Sequence, residues 1–216
     1  KAVANAKGGA GATNNSEALA VGIGAQSDVN DLAITNSGTI DAAAVAGDSK
    51  GVAKATGILA RSDTSIAVAP AAGDKLTINN SGKIVAKVSN DGGATWDWGN
   101  AINTQNVESK QAVEINLLGK GDIYGDIEVG AGDAIIVKGG ETSFDGTING
   151  DDKAGVYEGS LTIASDGVFY MRDNPEQGAA TYNGPLSARV QSFTINKGGT
   201  LALELPTTPT GSDVKA

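Results

Sequence analysis

The phrase LAITNSGTID, Leu32 to Asp41, returns 44 residues later as LTINNSGKIV, Leu76 to Val85. A near-verbatim return at long range is the mark of a structural unit that stacks on a copy of itself, so repetition is read before single residues. The shared template is apolar, any, apolar, three residues, Gly, any, apolar. Leu32, Ile34, Gly38 and Ile40 fill it once, and Leu76, Ile78, Gly82 and Ile84 fill it again. LTIASDGVF adds Leu161, Ile163, Gly167 and Phe169, and FTINKGGTL adds Phe193, Ile195, Gly199 and Leu201. Partial copies put Gly125 before Ile127 and Gly146 before Ile148.

The glycines at 38, 82, 125, 146, 167 and 199 are separated by 44, 43, 21, 21 and 32 residues. Most of these are one or two multiples of 21 to 22, and Ile115, Ile136 and Tyr157 repeat the 21-residue step. Apolar residues at i and i+2 share one face of a strand. The Asx-Ser-Gly that follows is turn chemistry, and the next apolar residue opens a new strand. Strand, turn and strand at a fixed period describe one coil of a parallel β-helix, whose inward face is buried only by stacking on its neighbours. With coils of 21 to 22 residues, the two opening phrases lie two rungs apart and the chain makes on the order of ten rungs. Asn36 and Asn80 then share a turn line and form a ladder of side-chain amides, with Gly38, Gly82, Gly125, Gly146, Gly167 and Gly199 as its turn glycines.

A β-sandwich gives turn signals at 8 to 12 residues but no reason for a longer fixed period. Helical bundles conflict with 31 glycines and with the absence of any 3.6-residue periodicity. Aromatics make up only 4% of the residues, which suits a core of stacked aliphatic layers. We expect a single β-helical unit over residues 1–204, and a terminal tail or linker over 205–216, where LPTTPTGSDVKA loses the alternation. The chain begins without Met at KAVANAKGG and reads as a piece of a longer polypeptide.

The formal charge of −9 argues against nucleic acid and against docking on an anionic membrane, since both need a basic surface. No run of 18 apolar residues predicts a membrane-spanning helix. The lack of cysteine fits an exported protein that does without disulfides. With no His or Cys, Ser-His and Cys-His nucleophiles are excluded. We expect no catalytic residue, no metal and no cofactor in this chain. Asp122 with Asp126, and Asp151 with Asp152, read as solvated turn carboxylates. VGAGDAIIV, Val129 to Val137, only partly follows a calcium-binding nonapeptide and occurs once.

Departures from the period mark loops, where function concentrates. One runs over residues 89–110 and holds both tryptophans; the other runs over 171–190 and holds Pro175 and Pro185. Trp96 and Trp98 share a face of an extended segment while Asp97 points away. Exposed, and beside Asp91 or Asp97, they would form a glycan-stacking surface; buried, they would plug the flank of the coil. Packing is the reading we favour, with Trp96, Asp97 and Trp98 as the candidate ligand-binding residues otherwise.

ATGILARSD, Ala55 to Asp63, together with LTINNSGKI resembles the passenger repeats of Gram-negative autotransporters (type V secretion). The segment from GDIYGDIEVGAG to FDGTINGD is similar to membrane-proximal passenger rungs, and FTINKGGTLALEL resembles the autochaperone-like last rungs. The resemblance implies a right-handed parallel β-helix exported through periplasm and outer membrane by a C-terminal translocator barrel. It implies a cell-surface or extracellular location and a role in adhesion, self-association or display of a distal domain. The implied partners are a host surface, a glycan or a second copy, with no nucleic acid and no membrane insertion by this segment.

Overall fold

The structure, a computed structural model, describes residues 2–6, 17–26, 32–47, 51–61, 75–106, 112–149, 157–172 and 186–204. Among them there is no helix; three sheets wrap around a shared core. The first sheet runs β1 (Ala2–Ala6), β4 (Thr39–Ala46), β7 (Lys83–Ser89), β11 (Asp122–Tyr124), β14 (Gly140–Asp145), β17 (Gly167–Met171) and β20 (Thr200–Leu203). The second holds β2 (Glu17–Gln26), β5 (Val52–Arg61), β9 (Asn100–Asn106), β12 (Asp126–Glu128), β15 (Thr147–Ile148) and β18 (Ser187–Ala188). The third holds β3 (Leu32–Asn36), β6 (Leu76–Asn80), β10 (Val113–Leu118), β13 (Ala134–Lys138), β16 (Ser160–Ile163) and β19 (Ser192–Ile195). The chain visits first, second and third sheet in turn, coil after coil, and neighbouring strands in each sheet are parallel. This is a parallel β-helix. One strand, β8 (Asp97–Trp98), stands outside the cycle and pairs antiparallel with β7.

Three columns of large apolar side chains line the interior. In the third sheet Ile34, Ile78, Ile115, Ile135, Leu161 and Phe193 stand in register. In the first, Ile40, Ile84, Ile123, Phe144, Met171 and Leu203 do so. In the second, Ile23, Ile58, Ile102, Ile127 and Ile148 follow. Most of these side chains are fully buried in one cluster, and each isoleucine contributes about 2 kcal/mol of burial. The rings of Phe144 and Phe169 stack with centroids 5.5 Å apart inside the later coils.

The coils are not uniform, which corrects the expected period. Leu32 pairs directly with Leu76, so 44 residues span one coil rather than two rungs. Successive steps down the first sheet, from Ala42 to Ala86 and from Ile84 through Ile123, Phe144 and Met171 to Leu203, are 44, 39, 21, 27 and 32 residues. Among the described residues, the seven stacked strands of the first sheet at about 4.8 Å give a stack of roughly 30 Å, in place of the ten or so rungs expected. The long coils come from a second, thinner core. Ala42, Ala44, Ala46 and Ala86 of the first sheet face Ala18, Ala20, Ala53 and Ala55 of the second, making an alanine-lined lamella beside the triangular core. Methyl side chains let the two sheets approach closely, so the early strands extend beyond the triangle.

The amide ladder forms: Asn36 Nδ2 donates to Asn80 Oδ1 at 2.7 Å, and Asn80 Nδ2 donates to the Gly82 carbonyl at 3.0 Å. It ends there, because Leu117 occupies the next register position. The later repeats are displaced by two residues, so Leu161 stacks in the Ile78 column, not the Leu76 column. The six turn glycines split between corners. Gly38 and Gly82, and in later coils Gly167 and Gly199, lie between third and first sheets; the neighbour of Gly82 in the next coil is Gly121. Gly125 and Gly146 lie between first and second sheets, stacked with Gly99. The second register also fails. Ile115 pairs with Ile135, which turns Ile136 outward, and Tyr157 is 61% exposed. Within the insertion expected over 89–110, Asn90–Trp96 and β8 stand outside the rung strands, Asn100–Asn106 is an ordinary rung strand, and 107–110 lies outside the described residues. Most of the 171–190 loop, Asp151 and Asp152, and the 205–216 tail lie outside the described residues.

Candidate functional site: the tryptophan hairpin and the polar corner

The hairpin from Ser89 to Gly99 is where the sequence placed its candidate residues. Its tip is organised by Asp91. Oδ1 accepts from the Ser89 hydroxyl at 2.8 Å and the Thr95 amide at 2.9 Å, while Oδ2 accepts from the Thr95 hydroxyl at 2.6 Å. Those donors, Thr95 foremost, hold its carboxyl far below the usual carboxylate range. Gly92 and Gly93, at φ of 78° and 97°, supply the left-handed turn that carries the chain around this carboxylate.

The two indoles part company. Trp98 is 7% exposed and packs on Val85 and Tyr124, with its ring centroid 6.0 Å from that of Tyr124. Its Nε1 donates to Asp145 Oδ1 at 3.2 Å, satisfying the polar end of a buried ring. Trp96 is half-buried, with Lys87 Nζ 4.6 Å from its ring centre. Asp97 points to solvent between them, as the alternation requires. Trp98 is therefore a plug, and Trp96 alone keeps an accessible face.

We expect iodide to report this division. A Trp96→Phe protein, retaining only Trp98, will be quenched several-fold less than a Trp98→Phe protein retaining only Trp96. Equal quenching slopes would overturn the placement of both rings.

The corner between second and third sheets carries polar residues that sequence reading missed. Asp133, expected only within a weak calcium-like phrase, is 4% exposed. Its Oδ2 accepts from Thr104 Oγ1 at 2.7 Å and the Gly130 amide at 2.8 Å, and its Oδ1 accepts from the Val113 amide at 2.9 Å. A carboxylate so engaged by donors is a clamp between coils, not a cation ligand. Burial pushes its carboxyl above the usual carboxylate range, and the charge of Glu158 adds to that against the pull of its donors. One coil on, Asn149, at φ 51°, accepts from the Val129 amide and donates from Nδ2 to the carbonyls of Glu158 and Arg189. Asp126, expected to be a solvated carboxylate, instead accepts from both the amide and the hydroxyl of Thr147 in the next coil. Asx residues directly before or after Gly were the available signal: GAGD, FDG and TING all carry one.

Among the described residues, no three His, Cys, Asp or Glu side chains converge as a metal site would require. The chemistry of the arrangement is cohesive: acceptors face donors across coils. Comparison with protein-family models, with curated proteins and with solved structures finds no match.

Proposed function

We propose that this chain is a structural and interaction module, the β-helical stalk of a surface-exposed passenger of the autotransporter type, serving adhesion, self-association or the display of a distal domain. The observation that carries the reading is how the buried and half-buried polar side chains are used. Asn36, Asn80, Asp133, Asn149 and Asp126 all bind one coil to another. A stack stabilised at every corner suits a spacer that holds its length outside the cell, where neither ATP nor chaperones maintain it. In this reading the full-length protein supplies a C-terminal translocator barrel, and the stalk faces the extracellular medium.

The test is display. The chain is joined to an outer-membrane translocator barrel, with an epitope tag at its N-terminus. Surface labelling of intact cells should find the epitope, and protease shaving should release a resistant fragment the size of the stack. An epitope retained in the periplasm, although the purified chain folds as a β-rich unit, would sink the proposal.

A further inference from the structure

The alanine lamella ends abruptly, and the way it ends assigns a role to the hairpin. In the first sheet, β7 gives only Lys83–Val85 to the short strand β11. Among the described residues, the rest of β7, the lamella half, faces the next coil with no parallel partner. In the second sheet, β9 joins β5 only from Thr56 onward, so Val52–Ala55 also lacks a strand on that side among the described residues. Two adjacent strand edges over an apolar interior are a template for pairing with another chain.

The hairpin occupies those positions. Strand β8 pairs antiparallel with the free half of β7, Lys87 opposite Trp98 and Val88 opposite Asp97. The Gly99 amide donates to the Ala86 carbonyl and the Gly92 amide to the Ala46 carbonyl, both at 2.9 Å. On the second sheet the Ala53 amide donates to Asn90 Oδ1, also at 2.9 Å. One loop thus serves backbone groups of both sheets. Its tip is fixed by Asp91 with Ser89 and Thr95, and its root by Trp98 on Tyr124 and Asp145.

We propose that the Ser89–Gly99 hairpin is an edge guard, which blocks strand addition by a second copy of this chain at the end of the alanine lamella. A second copy is the fitting occupant because it carries the matching edge. Among the described residues, strands β1 and β2 bound their sheets on the opposite side of the lamella, and run in the same sense as β4 and β5, to which they pair. Such pairing is head-to-tail, so an unguarded lamella adds copy after copy, as an open filament or a closed ring, rather than stopping at an isologous dimer.

Asn90→Gly combined with Asp91→Ala removes the clamp on Ala53 and the latch of the tip while leaving every core column intact. Sedimentation velocity over a hundredfold concentration range should show this variant associating at concentrations at least tenfold below any association of the parent. Adding Val52→Lys, at an outward position 42% exposed on the β5 edge, should reverse the effect. Identical sedimentation of variant and parent would overturn the proposal, and so would association that Val52→Lys leaves unchanged. Native-state hydrogen exchange of the parent covers the case of a variant that does not fold. The amides of Ala53, Gly92 and Gly99 should open together, at least tenfold faster than those of Ile84 and Ile102. Exchange of all five only through global unfolding would show that the hairpin is not a separable guard, and would equally overturn it.

Discussion

Gly82→Ala will lower stability by about 3 kcal/mol or more, while Gly38→Ala, one coil earlier in the same column, will be neutral or stabilising by about 0.4–1 kcal/mol. Neither glycine has a positive φ, so backbone strain does not separate them. What separates them is the neighbouring coil. A Cβ built at Gly82 falls 2.1 Å from the carbonyl oxygen of Gly38 and 2.8 Å from its nitrogen, which are backbone atoms held by the ladder. These atoms cannot give way without breaking the bond from the Lys83 amide to that carbonyl. A Cβ at Gly38 meets nothing within 4 Å. Thermal unfolding of both variants is the check. For a chain of this length the loss at Gly82 corresponds to a melting temperature lower by about 6–12 °C. Equal effects at the two sites would mean that the corner does not stack as described.

The same contrast shows how far the fold could be read from sequence. Inward alternation and glycine corners were legible, because a period of two and a glycine at a close approach leave residue-type signatures at Ile34, Gly38, Ile78 and Gly82. Coil length was not. The 44 residues from Gly38 to Gly82 include the extra length of β4 and β5 that builds the lamella, and an alanine-rich strand looks the same whether it closes one coil or begins another. Register was half legible. Sliding Leu161 by two positions keeps it facing inward, so the sequence does not distinguish the Ile78 column from the Leu76 column. Ile136 failed differently, since an odd slip of one residue turned an apparent core position outward. The site followed the same logic. Trp98 was legible as packing because a large ring beside a turn has few other uses in an aromatic-poor chain. Asp133 and Asn149 were not, because burial of a turn residue is decided by the coils above and below it.

Asp133→Ala is the second large effect, about 3–5 kcal/mol, since two backbone amides, Val113 and Gly130, lose the carboxylate that accepts from them inside the stack. Thr104 suffers less, because its hydroxyl also reaches the Glu128 carbonyl at 3.3 Å. Asp133→Asn keeps one acceptor and should cost less than the alanine variant, and it carries the pH information. The folded state raises the carboxyl of Asp133, chiefly by burial. A raised folded value means that the native chain holds this proton more tightly than the unfolded chain does. The stability contributed by protonation is then complete below the unfolded value and disappears as pH rises through the folded one. Urea titrations at about pH 4 and about pH 7 should therefore show the advantage of wild type over Asp133→Asn shrinking as pH rises. An advantage that grows instead would mean that the three donors outweigh desolvation, and that Asp133 clamps the coils as a fixed charge at every pH.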